Sequence, residues 1–82
     1  PNVITPNNDG SNDSFDLTGF GVKKIEIYNR WGRLVYDKEN YNNEWHGQNN
    51  NGDSLPDSTY YYLIQMENET STKVGWVYVT KG

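Results

Sequence analysis

Apolar residues in this chain come in short bursts that alternate with polar ones, the period of strands that bury one face. In residues 22–29, Ile25 and Ile27 alternate with charged and polar neighbours. Arg30-Trp31-Gly32-Arg33 then fits a tight turn in which Gly32 supplies a positive φ. Leu34-Val35-Tyr36-Asp37-Lys38 returns as the second arm of a hairpin. Residues 59–66, Thr-Tyr-Tyr-Tyr-Leu-Ile-Gln-Met, form the strongest predicted strand, being almost entirely β-branched or aromatic. Residues 73–80 predict the last strand, after a polar turn at residues 68–71. Val3-Ile4 and Phe15-Asp16-Leu17 read as short strands on either side of a segment crowded with Asn, Asp and Gly. Residues 39–57 read as a long loop pinned by Tyr41 and Trp45 as inward anchors, with a turn at Asn51-Gly52.

No segment keeps the i, i+3, i+4 apolar spacing of a helix over more than two turns. The pattern predicts an all-β, immunoglobulin-like antiparallel β-sandwich of about seven short strands in two sheets. Ile25, Ile27, Tyr60, Tyr62, Ile64, Val77 and Val79 are expected to face inward.

Composition sharpens this picture. The 82 residues suit one domain, spanning residues 1–82. Cysteine is absent, so neither a disulfide nor a thiolate metal site can staple so small a core. Only 33% of residues are hydrophobic and Ala is missing, but 15% are aromatic. Each large ring can bury roughly 150–250 Å², so the core must be built from rings. The net charge of −4 disfavours nucleic acid, whose phosphates repel an acidic domain. No apolar run approaches the ~20 residues of a transmembrane helix. The opening Pro1-Asn2-Val3 carries no signal peptide, and the chain is read as a piece cut from a larger protein.

Candidate chemistry is sparse. His46, the sole histidine, sits in a loop between Trp45 and Gly47 with no nucleophile or second acid suggested nearby. It reads as an exposed or turn-capping side chain. The acids form no recognisable glycosidase setting, and no catalytic residue is assigned. Asn7, Asp9 and Asp13 loosely resemble a calcium loop, although the first position is Asn and no Glu stands at the twelfth. Asx turns account for the same residues, and no cofactor is expected. Trp31, Trp45 and Trp76 could make a platform for sugar rings in a carbohydrate-binding or adhesion module. The plainer expectation is that all three are core.

The fragments fall into one familiar order. Residues 5–13, Thr-Pro-Asn-Asn-Asp-Gly-Ser-Asn-Asp, resemble the opening TPNGDGxND of the gliding-motility-associated C-terminal domains of Bacteroidetes. Ile27-Tyr28-Asn29-Arg30-Trp31-Gly32 is similar to that family's IFNRWG, and Val35-Tyr36 to the VY that follows. Trp45-His46-Gly47 stands where the family has WDG. Residues 55–62, Leu-Pro-Asp-Ser-Thr-Tyr-Tyr-Tyr, resemble LPDGTYFY, and residues 75–79 fit the closing KGxVxL strand. The family is the type B sorting domain of the type IX secretion system.

The resemblance implies a non-catalytic C-terminal sorting signal in a larger secreted or surface protein. Its implied partners are the outer-membrane type IX translocon, its shuttle components and a passenger domain on the N-terminal side. The implied destination lies across the outer membrane, at the cell surface or in the medium. His46 departs from the family's Asp and Ser58 from its Gly, and Ser58 predicts a negative φ.

Recognition rather than chemistry would carry such a role. Arg30, Trp31 and Gly32 at the hairpin tip, with Trp76 on the last strand, are the candidate partner-binding residues. The bland alternative folds Trp31 back into the core and pairs Arg30 with an acid. The last strand, at the chain's end, is the expected open edge.

Overall fold

The computed structural model describes residues 3–7, 10, 13–68, 70 and 72–81. Five strands follow one another: β1 (Val3–Ile4), β2 (Val22–Tyr28), β3 (Leu34–Glu39), β4 (Ser58–Met66) and β5 (Thr72–Val79). They form one sheet in the order β1-β5-β4-β2-β3. The pairs β2–β3, β2–β4 and β4–β5 are antiparallel, whereas β1 joins β5 in parallel, with Val3 opposite Tyr78 and Ile4 opposite Val79.

The sandwich of two sheets and about seven strands is therefore corrected to a single five-stranded sheet among the described residues. The second layer is made of loops. Phe15 and Leu17, expected in a short strand, are buried but belong to no strand. Their neighbourhood, residues 13–21, and the opposing residues 40–57 are rich in Asn, Asp and Gly. Asn40 and Asn43 both adopt positive φ, 55° and 63°. Such angles end an extended run, so these segments cannot continue as strands.

The loops nevertheless do the work of a second sheet. Val22, Ile25, Ile27, Tyr60, Ile64, Val77 and Val79 point inward from the strands and are buried with Ile4. Phe15, Leu17, Tyr41 and Trp45 cover them from the loops. Trp45 is fully buried and meets Tyr60 edge-on, with ring centres 5.9 Å apart. Tyr62, expected inside, is half-buried and packs on Phe15 at 5.2 Å. A methyl group on Gly75, opposite Tyr62 in the β4–β5 register, would collide with that ring. Tyr62 thus lies across the glycine and fills the gap it leaves in β5.

Tyr41 joins the two covering loops through one hydroxyl. It donates to Phe15 O at 2.6 Å and accepts the Trp45 N–H at 3.2 Å. Phe15 N–H donates in turn to Trp45 O at 2.9 Å. Among the described residues no buried side-chain nitrogen or oxygen lacks a hydrogen-bond partner, as a small core requires.

Candidate docking surface

The β2–β3 turn is shaped by Asn29. Its side-chain Oδ1 accepts the backbone N–H groups of Trp31 and Arg33, both at 3.0 Å. Its own N–H donates to Arg33 O, and its carbonyl accepts from Gly32 N–H, both at 2.9 Å. Gly32 adopts φ 79°, as the sequence predicted. With the backbone satisfied from inside the turn, the side chains of residues 30 and 31 are thrown outward.

The bland expectations for both residues are overturned. Trp31 does not fold back into the core, being 76% exposed. Arg30 pairs with no acid among the described residues; its guanidinium instead lies 4.5 Å from the centre of the Trp31 ring. A cation over an indole face is a favourable pair even in water. The described ion pairs, Lys24–Glu26, Lys38–Glu44 and Lys81–Asp57, use other cations. Arg30 and Arg33 therefore concentrate positive charge at the tip of an acidic domain.

The tip continues into the outer face of the sheet. A groove of about 490 Å³ runs from Arg30 and Gly32 past Tyr28 and Tyr61 to Val74 and Trp76. The strand register explains it: Tyr28 stands opposite Tyr61, and Tyr61 opposite Trp76. Three rings thus span β2, β4 and β5 on the side away from the core. Tyr28 donates to Glu26 Oε1 at 3.2 Å; burial, with that carboxylate, pushes its pKa up. A second groove, of about 300 Å³, lies on the other side of Arg30, between Trp31 and residues 55–58.

Three of the four predicted binding residues, Arg30, Gly32 and Trp76, thus line one groove, with Trp31 beside it in the next. The sequence did not single out Tyr28, Tyr61 and Val74. The signal was present: β4 and β5 carry apolar residues on both faces, not in alternation. Such strands are expected to be covered on both sides, yet here the outer side is open.

The other candidates do not gather. Trp45 is core, so the three-tryptophan sugar platform loses its middle member. His46 is exposed, its Nδ1 3.0 Å from Glu44 O and its N–H donating to Gln48 Oε1 at 2.8 Å, a turn-capping arrangement. Asp9 lies outside the described residues. Asp13 accepts the Gly10 N–H at 2.8 Å, and Asn7 N–H donates to Thr5 O at 2.8 Å. The described residues hold no cluster of three or more His, Cys, Asp or Glu side chains that could bind a metal.

Residues 1–79 match the model of the CHU_C type IX secretion signal domain. The chain belongs to this family. No curated protein and no solved structure matches it. Membership makes the chain a sorting signal for type IX secretion, a system that carries passengers across the outer membrane. Domains of this kind are generally non-catalytic.

Within the type IX signal domain, most of the motifs serve folding. Trp45 fills the core, and its Nε1–H donates to Gln48 O at 2.7 Å. Asp57 accepts the backbone N–H and the ammonium of Lys81 at 3.1 and 3.0 Å, and these bonds hold its carboxyl below the usual range. Asn29 and Gly32 make a turn. Arg30 and Trp31, by contrast, are exposed, and the guanidinium of the first lies over the ring of the second.

Proposed function

We propose that this chain directs a passenger protein, of which it is one domain, through the type IX system to the cell surface or medium. We further propose that the translocon or its shuttle components read it through Arg30, Trp31 and Gly32 together with the groove that ends at Trp76. The observation that supports this most is Trp31: a large ring, 76% exposed, held out on a turn whose backbone bonds do not involve its side chain. Exposed aromatic and Arg side chains are the residue types that dominate binding energy in protein interfaces. No cofactor enters the proposal.

The test uses a reporter with its own N-terminal export signal and this chain at its C-terminus, expressed in a gliding Bacteroidetes host. Arg30→Ala and Trp31→Ala are expected to melt like the parent yet leave the reporter in the periplasm. Normal export of both would refute the patch. Chelator is expected to leave the melting temperature unchanged. A drop reversed by calcium would assign a site to Asn7, Asp9 and Asp13, by linkage.

A further inference from the structure

The outer face of the sheet is organised about one row. Leu34, Tyr28, Tyr61 and Trp76 stand side by side on β3, β2, β4 and β5. Side chains on one face of a strand recur every second residue, so a further row flanks it on each side. Toward the start of β2 come Asp37, Glu26, Leu63 and Val74. On the other side come Thr59 and Tyr78, with Arg30 and Arg33 in the turn beyond Tyr28.

The middle of this face is apolar: Leu34, Tyr61, Val74, Trp76 and Tyr78 are all exposed. Its charges are segregated across the row. One flank holds Glu26 and Asp37, the other Arg30 and Arg33. Glu26 lies 3.9 Å from Lys24 and accepts the Tyr28 hydroxyl, and its side chain stays 25% exposed. Asp37 accepts from Asn50 Nδ2 at 2.9 Å. Lys24 stands one row further out, opposite Glu39. Arg30 and Arg33 make no ion pair among the described residues.

A face laid out in this way is complementary to itself. A half-turn about an axis along the aromatic row lays β2 antiparallel on β2 of a second copy. The residue two places before Tyr28 then meets the residue two places after it, so Arg30 of each copy lies over Glu26 of the other. The same operation sets Val74 over Tyr78 and Leu63 over Thr59, and brings the aromatic rows together at the axis. Every contact occurs twice, as in any isologous interface. Aligned sheets stack about 10 Å apart, which leaves room for the two layers of side chains.

We propose that two copies of this chain pair through this face, with the apolar rows buried between the sheets and Arg30 of each copy on Glu26 of the other. The contact uses the face of the sheet and neither of its edges. β1 lies along β5 at Tyr78 and Val79, where the sequence predicted an open edge. The proposal goes beyond the sorting role and does not rest on it. A second copy and the translocon would compete for Arg30 and the groove.

Sedimentation of the chain over a range of concentrations is expected to show a monomer passing into a dimer. Arg30→Glu sets carboxylate over carboxylate, and Glu26→Arg sets guanidinium over guanidinium, twice in each pair. Each variant alone, with the circular dichroism of the parent, is expected to pair at least about tenfold more weakly. Mixed in equal amounts, each supplies the charge the other has lost, and the dimer is expected to return. A parent that stays monomeric throughout would overturn the proposal and leave the face to the translocon or the passenger. Variants that pair like the parent, or a mixture that stays monomeric, would overturn it as well. Should Glu26→Arg not fold, Tyr61→Glu decides. Tyr61 is 47% exposed and lies at the axis, so pairing would bring two carboxylates together. Lost pairing supports the proposal and unchanged pairing overturns it. These readouts use no secretion machinery, so failure of the chain to export a reporter is a separate outcome.

Discussion

The turn at residues 29–33 and the turn at residues 49–53 share one backbone design. In the second, Asn49 N–H donates to Asp53 O at 2.8 Å, and Gly52 N–H donates to Asn49 O at 3.0 Å. Asn49 Oδ1 accepts from Asn51 and Asp53, both at 2.9 Å. These are the bonds that Asn29 makes with residues 31–33, residue for residue. Gly52 has φ 88° where Gly32 has 79°. The two turns differ in what they carry. The second presents Asn50 and Asn51, and Asn50 folds back to cover β3. The first presents Arg30 and Trp31, which cover nothing. The second turn shows that the design closes without an aromatic residue or a cation. Closing the turn therefore does not require Trp31.

A tryptophan belongs to each region, and the pair gives the largest expected contrast. Trp45 is buried against Tyr36 and Tyr60 and anchors the loop that leads into the second turn. Trp45→Ala should cost about 3–5 kcal/mol in urea unfolding. A loss near that of an exposed residue would mean that the loop layer is not part of the core.

Next comes the hydroxyl that ties this loop to Phe15. Tyr41→Phe should cost about 1–3 kcal/mol, since it leaves Phe15 O without its donor. Burial raises the Tyr41 pKa well above its ordinary 10 in the folded chain. The neutral hydroxyl's contribution is thus complete below pH 10 and declines as the pH rises above it, where the unfolded chain ionises first. Melting temperature should accordingly fall less steeply above pH 10 in Tyr41→Phe than in the parent. Parallel curves would count against the buried seam.

Asn29→Ala and Asn49→Ala test the likeness of the turns directly. Each removes one acceptor shared by two N–H groups, and each should lower stability by about 1 kcal/mol in chemical denaturation. Costs that differ by more than the whole effect would break the comparison. The smallest effect is expected at the tip. Replacing Arg30 and Trp31 by Asn, as in the second turn, should change stability by under ~0.5 kcal/mol while export is lost. A large loss of stability would show that Trp31 is needed for folding after all.

Much of this was legible in the sequence. The runs of β-branched and aromatic residues placed β2 to β5 within a residue or two, because a strand that buries one face must repeat its apolar positions in twos. Tyr41 and Trp45 were legible as anchors because a polar loop has few other means of attachment. The layer opposite the sheet was misjudged. Phe15 and Leu17 alternate like a strand, but the Asn and Gly residues around them favour turns, and only tertiary packing decides between the two. The parallel pairing of β1 leaves no local mark, since it depends on residues far apart in the chain. The direction of Trp31 was equally hidden. Its neighbours specify a turn, and a turn fixes its backbone before it fixes which way a ring points.

The central claim is that this chain is a sorting signal, and surface exposure of a passenger tests it most directly. A reporter with an N-terminal export signal, with and without this chain at its C-terminus, would be probed by protease on intact cells of matched strains, one with the type IX system disabled. The reporter bearing the chain should be cleaved in the parent strain and protected in the disabled one, and the reporter without it protected in both. Equal cleavage with and without the chain, or cleavage that persists when the type IX system is disabled, would contradict the account.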